Sequence, residues 1–164
     1  MPVVFNSSLG VQLAVRDVIA EIVRFMTEAP ERHYKITVGT DSLRLADQTA
    51  DFVTAIVVHR VGNGGRYFWR RVKLGKFHTL RDRIIREVLI SLDFGKAVLA
   101  ELQRVEAEGG KLPEWDFEIH ADVGEHGPTK ALIQEVVGMI RGMNFEPITK
   151  PGSYAASTVA DRYV

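Results

Sequence analysis

The hydrophobic pattern of this chain changes period partway along, and that change limits its folds more than any other feature. Three segments in a row read as strands: YKITVGTDS (34–42), DFVTAIVVHR (51–60) and RYFWRRVKL (66–74). The first closes on a Gly-Thr-Asp-Ser turn signal, and VGNGG (61–65) supplies a hairpin loop between the other two. From Thr79 to about Glu106 the period becomes helical, with apolar residues at 80, 84, 85, 88, 89, 92, 99 and 102, and Gly109-Gly110 end it. WDFEIHADV (115–123) is a fourth strand. Gly127-Pro128 open a second helix, whose buried stripe is Leu132, Ile133, Val136, Val137, Ile140 and Met143. FEPIT (145–149) is a fifth strand, where Pro147 argues for a sheet edge. SYAASTVADRYV (153–164) is a short last helix with Ser153 as its cap.

Upstream of all this, residues 11–29 place apolar side chains at helical spacing, with Asn6, Ser7 or Ser8 available as the cap. After that first helix the order is β-β-β-α-β-α-β-α. The three leading strands pair as an antiparallel meander, and helical crossovers then add two parallel strands. The expected fold is α/β: a mixed five-stranded sheet in the order 3-2-1-4-5, strand 2 antiparallel, with helices on both faces. Strands 1 and 4 lie side by side in this scheme. Asp41 and Asp122, at their C-terminal ends, become neighbours on the rim where ligands favour open α/β sheets.

A length of 164 residues predicts one domain, 1–164, large enough to bury a core. With 46% hydrophobic and 26% charged residues, a folded, soluble, cytoplasmic protein is expected, with no membrane partner. The absence of cysteine excludes disulfides and thiolate metal sites. Net charge is zero, but nine Lys or Arg residues face one acid between Arg60 and Arg86. That segment carries +8 and the rest of the chain −8, which allows a phosphate-binding surface on a neutral protein. A solvated hairpin and helix face explains the same run.

The stretches ITVGTDS (36–42), IHADVGEHGPTKALIQEVVGMIRGM (119–143) and KPGSYAASTVADRY (150–163) resemble the YkuK-type family of ribonuclease H-like bacterial proteins. The likeness runs from about Lys35 onward, which makes the helix at 11–29 an addition to the core. It implies a set of carboxylates on the first strand, the first core helix, the end of the fourth strand and the last helix. The matching residues are Asp41, Glu87, Asp122 and Asp161. The resemblance further implies that they hold two Mg²⁺ or Mn²⁺ ions for hydrolysis of a phosphodiester in RNA, an RNA–DNA hybrid or structured DNA.

That chemistry suits those residue types, because two hard cations about 4 Å apart can both activate a water and stabilise a leaving oxygen. Each residue also has a plainer reading. Asp41 and Asp122 can be turn residues, and Glu87 and Asp161 solvated helix acids. His120 shares a strand face with Asp122 and can hydrogen-bond a ligand carboxylate or simply be a satisfied core histidine. His126 can move protons near the site. A zinc site from His120, Asp122 and His126 is a further arrangement, without the usual spacing. Tyr67 and Trp69, with Arg71 and Lys73, can stack bases or form a half-buried strand face. Two other functions remain open: a nucleic-acid-binding module without catalysis, and a protein-interaction module using the first helix.

Overall fold

The computed structural model describes residues 3–164. A single mixed sheet of seven strands organises them: β1 (Val4–Ser7), β2 (Gln12–Ala14), β3 (Tyr34–Arg44), β4 (Ala50–Arg60), β5 (Gly65–Leu74), β6 (Trp115–His120) and β7 (Glu146–Ile148). Their order is β2-β1-β5-β4-β3-β6-β7. The five strands from β5 to β7 are the expected meander and crossovers, with β3–β4 and β4–β5 antiparallel and β3–β6 and β6–β7 parallel. β7, with Pro147 inside it, is the outer strand on that side.

The two further strands correct the reading of the N-terminus. Helix α1 begins at Val15, not near residue 11, and runs to Thr27. The Ser7 hydroxyl does not cap it. It accepts the N–H groups of Leu9 (3.2 Å) and Val11 (3.1 Å), and Gly10 takes φ +83°, so the segment turns back as a hairpin. Asn6 then donates to the Trp69 carbonyl at 3.3 Å, which ties the hairpin to β5.

Strand β3 also outruns its expected end. Thr40, Asp41 and Ser42 are paired with Thr54, Val53 and Phe52, so Asp41 is a strand residue and the turn comes after Arg44. Alternation of side chains then separates two layers. Tyr34, Ile36 and Val38 face the main core, where α1, α2 (Leu80–Ala107) and α3 (Ile133–Gly142) cover the sheet. Lys35, Thr37, Gly39 and Asp41 face the other way, towards a short C-terminal segment of π-helix (Ala155–Ala160) and 3₁₀ turn (Asp161–Tyr163). That segment packs on Val53, Ala55 and Val57.

The Thr79 hydroxyl caps α2 by accepting the Asp82 N–H at 3.1 Å. Strand β6 ends at His120, three residues before the expected end, although Ala121 N–H still bonds the Ile148 carbonyl at 2.9 Å. Gly127 adopts φ +90°, and a 3₁₀ turn (Lys130–Leu132) delays α3 beyond Pro128. Ser153 caps no helix with its side chain; its hydroxyl meets that of Ser157 at 2.7 Å. Among the described residues no helix is long and apolar enough to cross a membrane.

Two features of the basic segment turn inward. Arg60 lies 4.0 Å over the Phe25 ring and donates to the Phe25 carbonyl at 2.8 Å. The Tyr67/Trp69 face is covered by the chain's own Tyr163, which stacks on Trp69 at 4.2 Å and 9° and meets the Tyr67 hydroxyl at 2.6 Å. Arg71 closes the contact by donating to the Tyr163 carbonyl. Those aromatic faces are therefore latches for the C-terminus and not open stacking platforms.

Candidate active site

The position of the acids follows from register. Gly39 pairs with His120 at the end of the parallel β3–β6 ladder; Asp41 and Asp122 each follow two residues later, near enough for the charge of Asp122 to act on Asp41. Their neighbour on the third side is the C-terminal segment, which can come close because residue 39 has no side chain. A Cβ there would stand 2.5 Å from the Ala156 nitrogen. Backbone-to-backbone contact of this kind needs glycine. It brings Asp161 within side-chain hydrogen-bonding reach of Asp41.

Glu87 arrives from the opposite layer. Thr40 hydrogen-bonds the Ser91 hydroxyl at 2.7 Å, which sets α2 against β3. One helical turn earlier, Glu87 Oε2 accepts the Ser42 hydroxyl at 3.3 Å. Arg83, another turn back, donates to the Ser42 carbonyl at 3.2 Å and to its hydroxyl oxygen at 3.3 Å. Glu87 is 4% exposed and its Oε1 has no hydrogen-bond partner.

Burial and mutual repulsion leave a clear electrostatic record. The Asp41 carboxyl, 7% exposed, is pushed up to about 8, first by burial, then by its hydrogen bond with Asp161 and the charge of Asp122. The Ser42 N–H, donated to Asp41 Oδ1 at 2.9 Å, opposes that rise. Burial pushes Glu87 well above the usual carboxylate range, helped by Asp41 and Asp122 and opposed by Ser42 and Arg83. Two buried acids whose charged forms are disfavoured beside two more carboxylates is an unfavourable arrangement for a metal-free fold.

Asp122 is satisfied differently. Its Oδ1 accepts the Ser157 hydroxyl at 2.7 Å and the Lys150 ammonium at 3.1 Å. Among the described residues no three His, Asp or Glu side chains are gathered tightly enough to hold one ion as they stand. Asp41, Glu87 and Asp122 each accept from a donor of their own, Ser42 N–H, the Ser42 hydroxyl and Ser157 with Lys150 respectively.

The histidines lie elsewhere. His120 is buried, and its Nδ1 accepts the Ala155 N–H at 3.1 Å, so the proton sits on Nε2 and goes to Glu118 at 3.0 Å. Burial lowers its pKa. Both ring nitrogens are thus engaged away from Asp122; the ring props the C-terminal segment and does not orient a ligand carboxylate. His126 is exposed in the loop after β6. The His120–Asp122–His126 zinc arrangement is not assembled.

Sequence reasoning did not single out Ser42, Arg83, Lys150 or Ser157. Lys150 and Ser157 lie in the stretch 150–163 that carries the family resemblance, but nothing local says that they meet Asp122.

Comparison with known proteins agrees with this architecture. The Ribonuclease H-like family model matches residues 17–164. The uncharacterised protein YkuK of Bacillus subtilis (strain 168) is 33% identical over 161 residues, covering 93% of this chain and 91% of that one. No solved structure matches. With its sheet order and nearly its whole length accounted for, the chain belongs to the ribonuclease H-like family, on its YkuK-type branch.

Proposed function

We propose that this chain hydrolyses phosphodiester bonds in nucleic acid, with Asp41, Glu87, Asp122 and Asp161 holding divalent cations. One observation carries the reading: acids from β3, α2, the loop after β6 and the C-terminal segment lie near enough to raise the pKa values of the two that are buried, Asp41 and Glu87. The buried Oε1 of Glu87, which has no hydrogen-bond partner, supports the reading, because buried polar atoms are ordinarily paired. An all-oxygen set of this kind suits Mg²⁺ or Mn²⁺ better than zinc. When bound, such cations supply the positive charge that activates a water and stabilises the departing oxygen.

The chain's own groups do the rest. Ser42 fixes both Asp41, through its N–H, and Glu87, through its hydroxyl. Ser157 orients Asp122. The His120–Ala155 bond and the Trp69–Tyr163 stack hold the segment that carries Asp161. Arg71 and Lys73 stand exposed on the sheet face of Asp41; Arg71 is level with it two strands away, at about 10 Å. Lys73 is suited to a phosphate flanking the scissile one, and Arg71 adds its charge to that face while it holds the Tyr163 carbonyl. His126, exposed on the same loop as Asp122, is the candidate for exchanging a proton with the medium. The substrates that fit are cytoplasmic nucleic acids: RNA, RNA–DNA hybrid or structured DNA.

The test is a cleavage screen on these substrates with Mg²⁺ or Mn²⁺. Wild-type protein should cut at least one, and Asp41→Asn and Asp122→Asn should each cut about 100-fold more slowly or not at all. Failure to cut any substrate with either metal overturns the proposal. One observation favours a second reading, a nucleic-acid-binding module without turnover: Lys150 already sits on Asp122 where a cation would go. That reading predicts salt-sensitive binding with no product.

A further inference from the structure

We propose that Lys150 is the built-in counter-ion of this centre, holding at Asp122 a cation position that a divalent ion must take over. The inference rests on reading the four acids as a metal centre and adds what controls its loading. Among the described residues, Lys150–Asp122 is the one ion pair made by any of the four carboxylates. Arg83, whose charge is felt at Glu87, is bonded to the carbonyl and hydroxyl of Ser42.

The ammonium is aimed by its surroundings. Lys150 N–H bonds the Val123 carbonyl at 2.8 Å, which ties the residue to the loop that carries Asp122. Its stem then crosses Gly124, where a Cβ would stand 2.9 Å from Lys150 Cβ and 3.3 Å from its Cδ. A side chain at 124 would push that stem off its path. The ammonium therefore reaches Asp122 along a track that the loop leaves open, and shares Oδ1 with Ser157.

Lys150 is also able to leave. Its side chain is 46% exposed and flexible, so swinging into solvent breaks one half-exposed ion pair. Departure frees the side of Asp122 Oδ1 that the ammonium holds and leaves Ser157 as that oxygen's donor. A divalent ion therefore competes with a tethered monovalent one, and anything that draws the ammonium away favours loading. A phosphate of a bound nucleic acid strand is such an attractor. Metal and phosphate binding are then linked through Lys150, and by reciprocity each strengthens the other.

The test is Mn²⁺ affinity, read from the electron paramagnetic resonance signal of free Mn²⁺ during titration of nucleic-acid-free protein. Wild type, Lys150→Met, Lys150→Arg and Asp41→Asn are compared, each checked for folding by thermal melting in EDTA. Lys150→Met should bind Mn²⁺ about fivefold more tightly than wild type, the upper end of what a partly exposed ion pair carries. Lys150→Arg, which keeps the charge, should stay within about twofold of wild type. If Lys150→Met binds no more tightly while Asp41→Asn abolishes binding, the metal centre stands and the counter-ion role is wrong. If neither wild type nor Lys150→Met binds Mn²⁺ at millimolar concentration, both ideas fall together.

Discussion

Replacing Asp41 by Asn should stabilise the metal-free protein at alkaline pH while removing its response to metal. The Asp41 carboxyl titrates at about 8 in the fold against an ordinary value of 3.8. A raised carboxyl pKa means that the folded state binds more protons than the unfolded state between those values. Its contribution to stability is therefore complete below pH ~4 and is lost as pH rises through about 8. At about 1.4 kcal/mol per pKa unit the whole span amounts to ~6 kcal/mol, an upper bound that water entering the rim reduces. An amide keeps the acceptor for the Ser42 N–H and carries no charge at any pH. A gain of roughly 1–3 kcal/mol at pH 9 follows, or about 2–12 °C in Tm for a chain of this size. Near pH 4 the two proteins should match within ~0.5 kcal/mol. Urea unfolding in EDTA near pH 4, 7 and 9 measures this. Adding Mn²⁺ at 100 times its dissociation constant should then stabilise wild type by about 2.7 kcal/mol and leave the variant unmoved. Destabilisation by Asp41→Asn at every pH, with an unchanged pH slope, would refute the burial-and-repulsion argument.

Gly39→Ala should detach the C-terminal segment from β3, because the added methyl meets Ala156 backbone at 2.5 Å. Urea unfolding should show a loss of ~2 kcal/mol, with Mn²⁺ affinity falling in step as Asp161 leaves Asp41. Tyr163→Ala removes the stack on Trp69 and the hydroxyl pair with Tyr67. It should cost ~1–2 kcal/mol and raise hydrogen exchange across residues 155–163, leaving the three main helices protected.

The five-strand order was legible because periodicity changes sharply after Leu74 and because crossover rules leave few ways to add two parallel strands. Register then followed, which is why Asp41 and Asp122 could be paired from sequence. The N-terminal hairpin escaped because four- and three-residue strands carry little pattern, and Val11 and Val15 fit a helix as well as a turn. Asp41 looked like a turn residue because Gly-Thr-Asp-Ser is locally a turn signal; pairing with Val53 overrides it. Glu87 was half legible, through the small Ser91 one turn later. The partners of the acids were not. Lys150 reaches Asp122 only through the return of β7 to β6, and Tyr163 covers Trp69 from 94 residues away.

The central claim is that Asp41 and Asp122 share a cation, and anomalous diffraction from crystals grown with Mn²⁺ addresses it most directly. The account predicts a strong anomalous peak about 2.2 Å from oxygens of both residues, with Lys150 swung away. Crystals in which Mn²⁺ binds only elsewhere, and the ammonium still sits on Asp122, would contradict it.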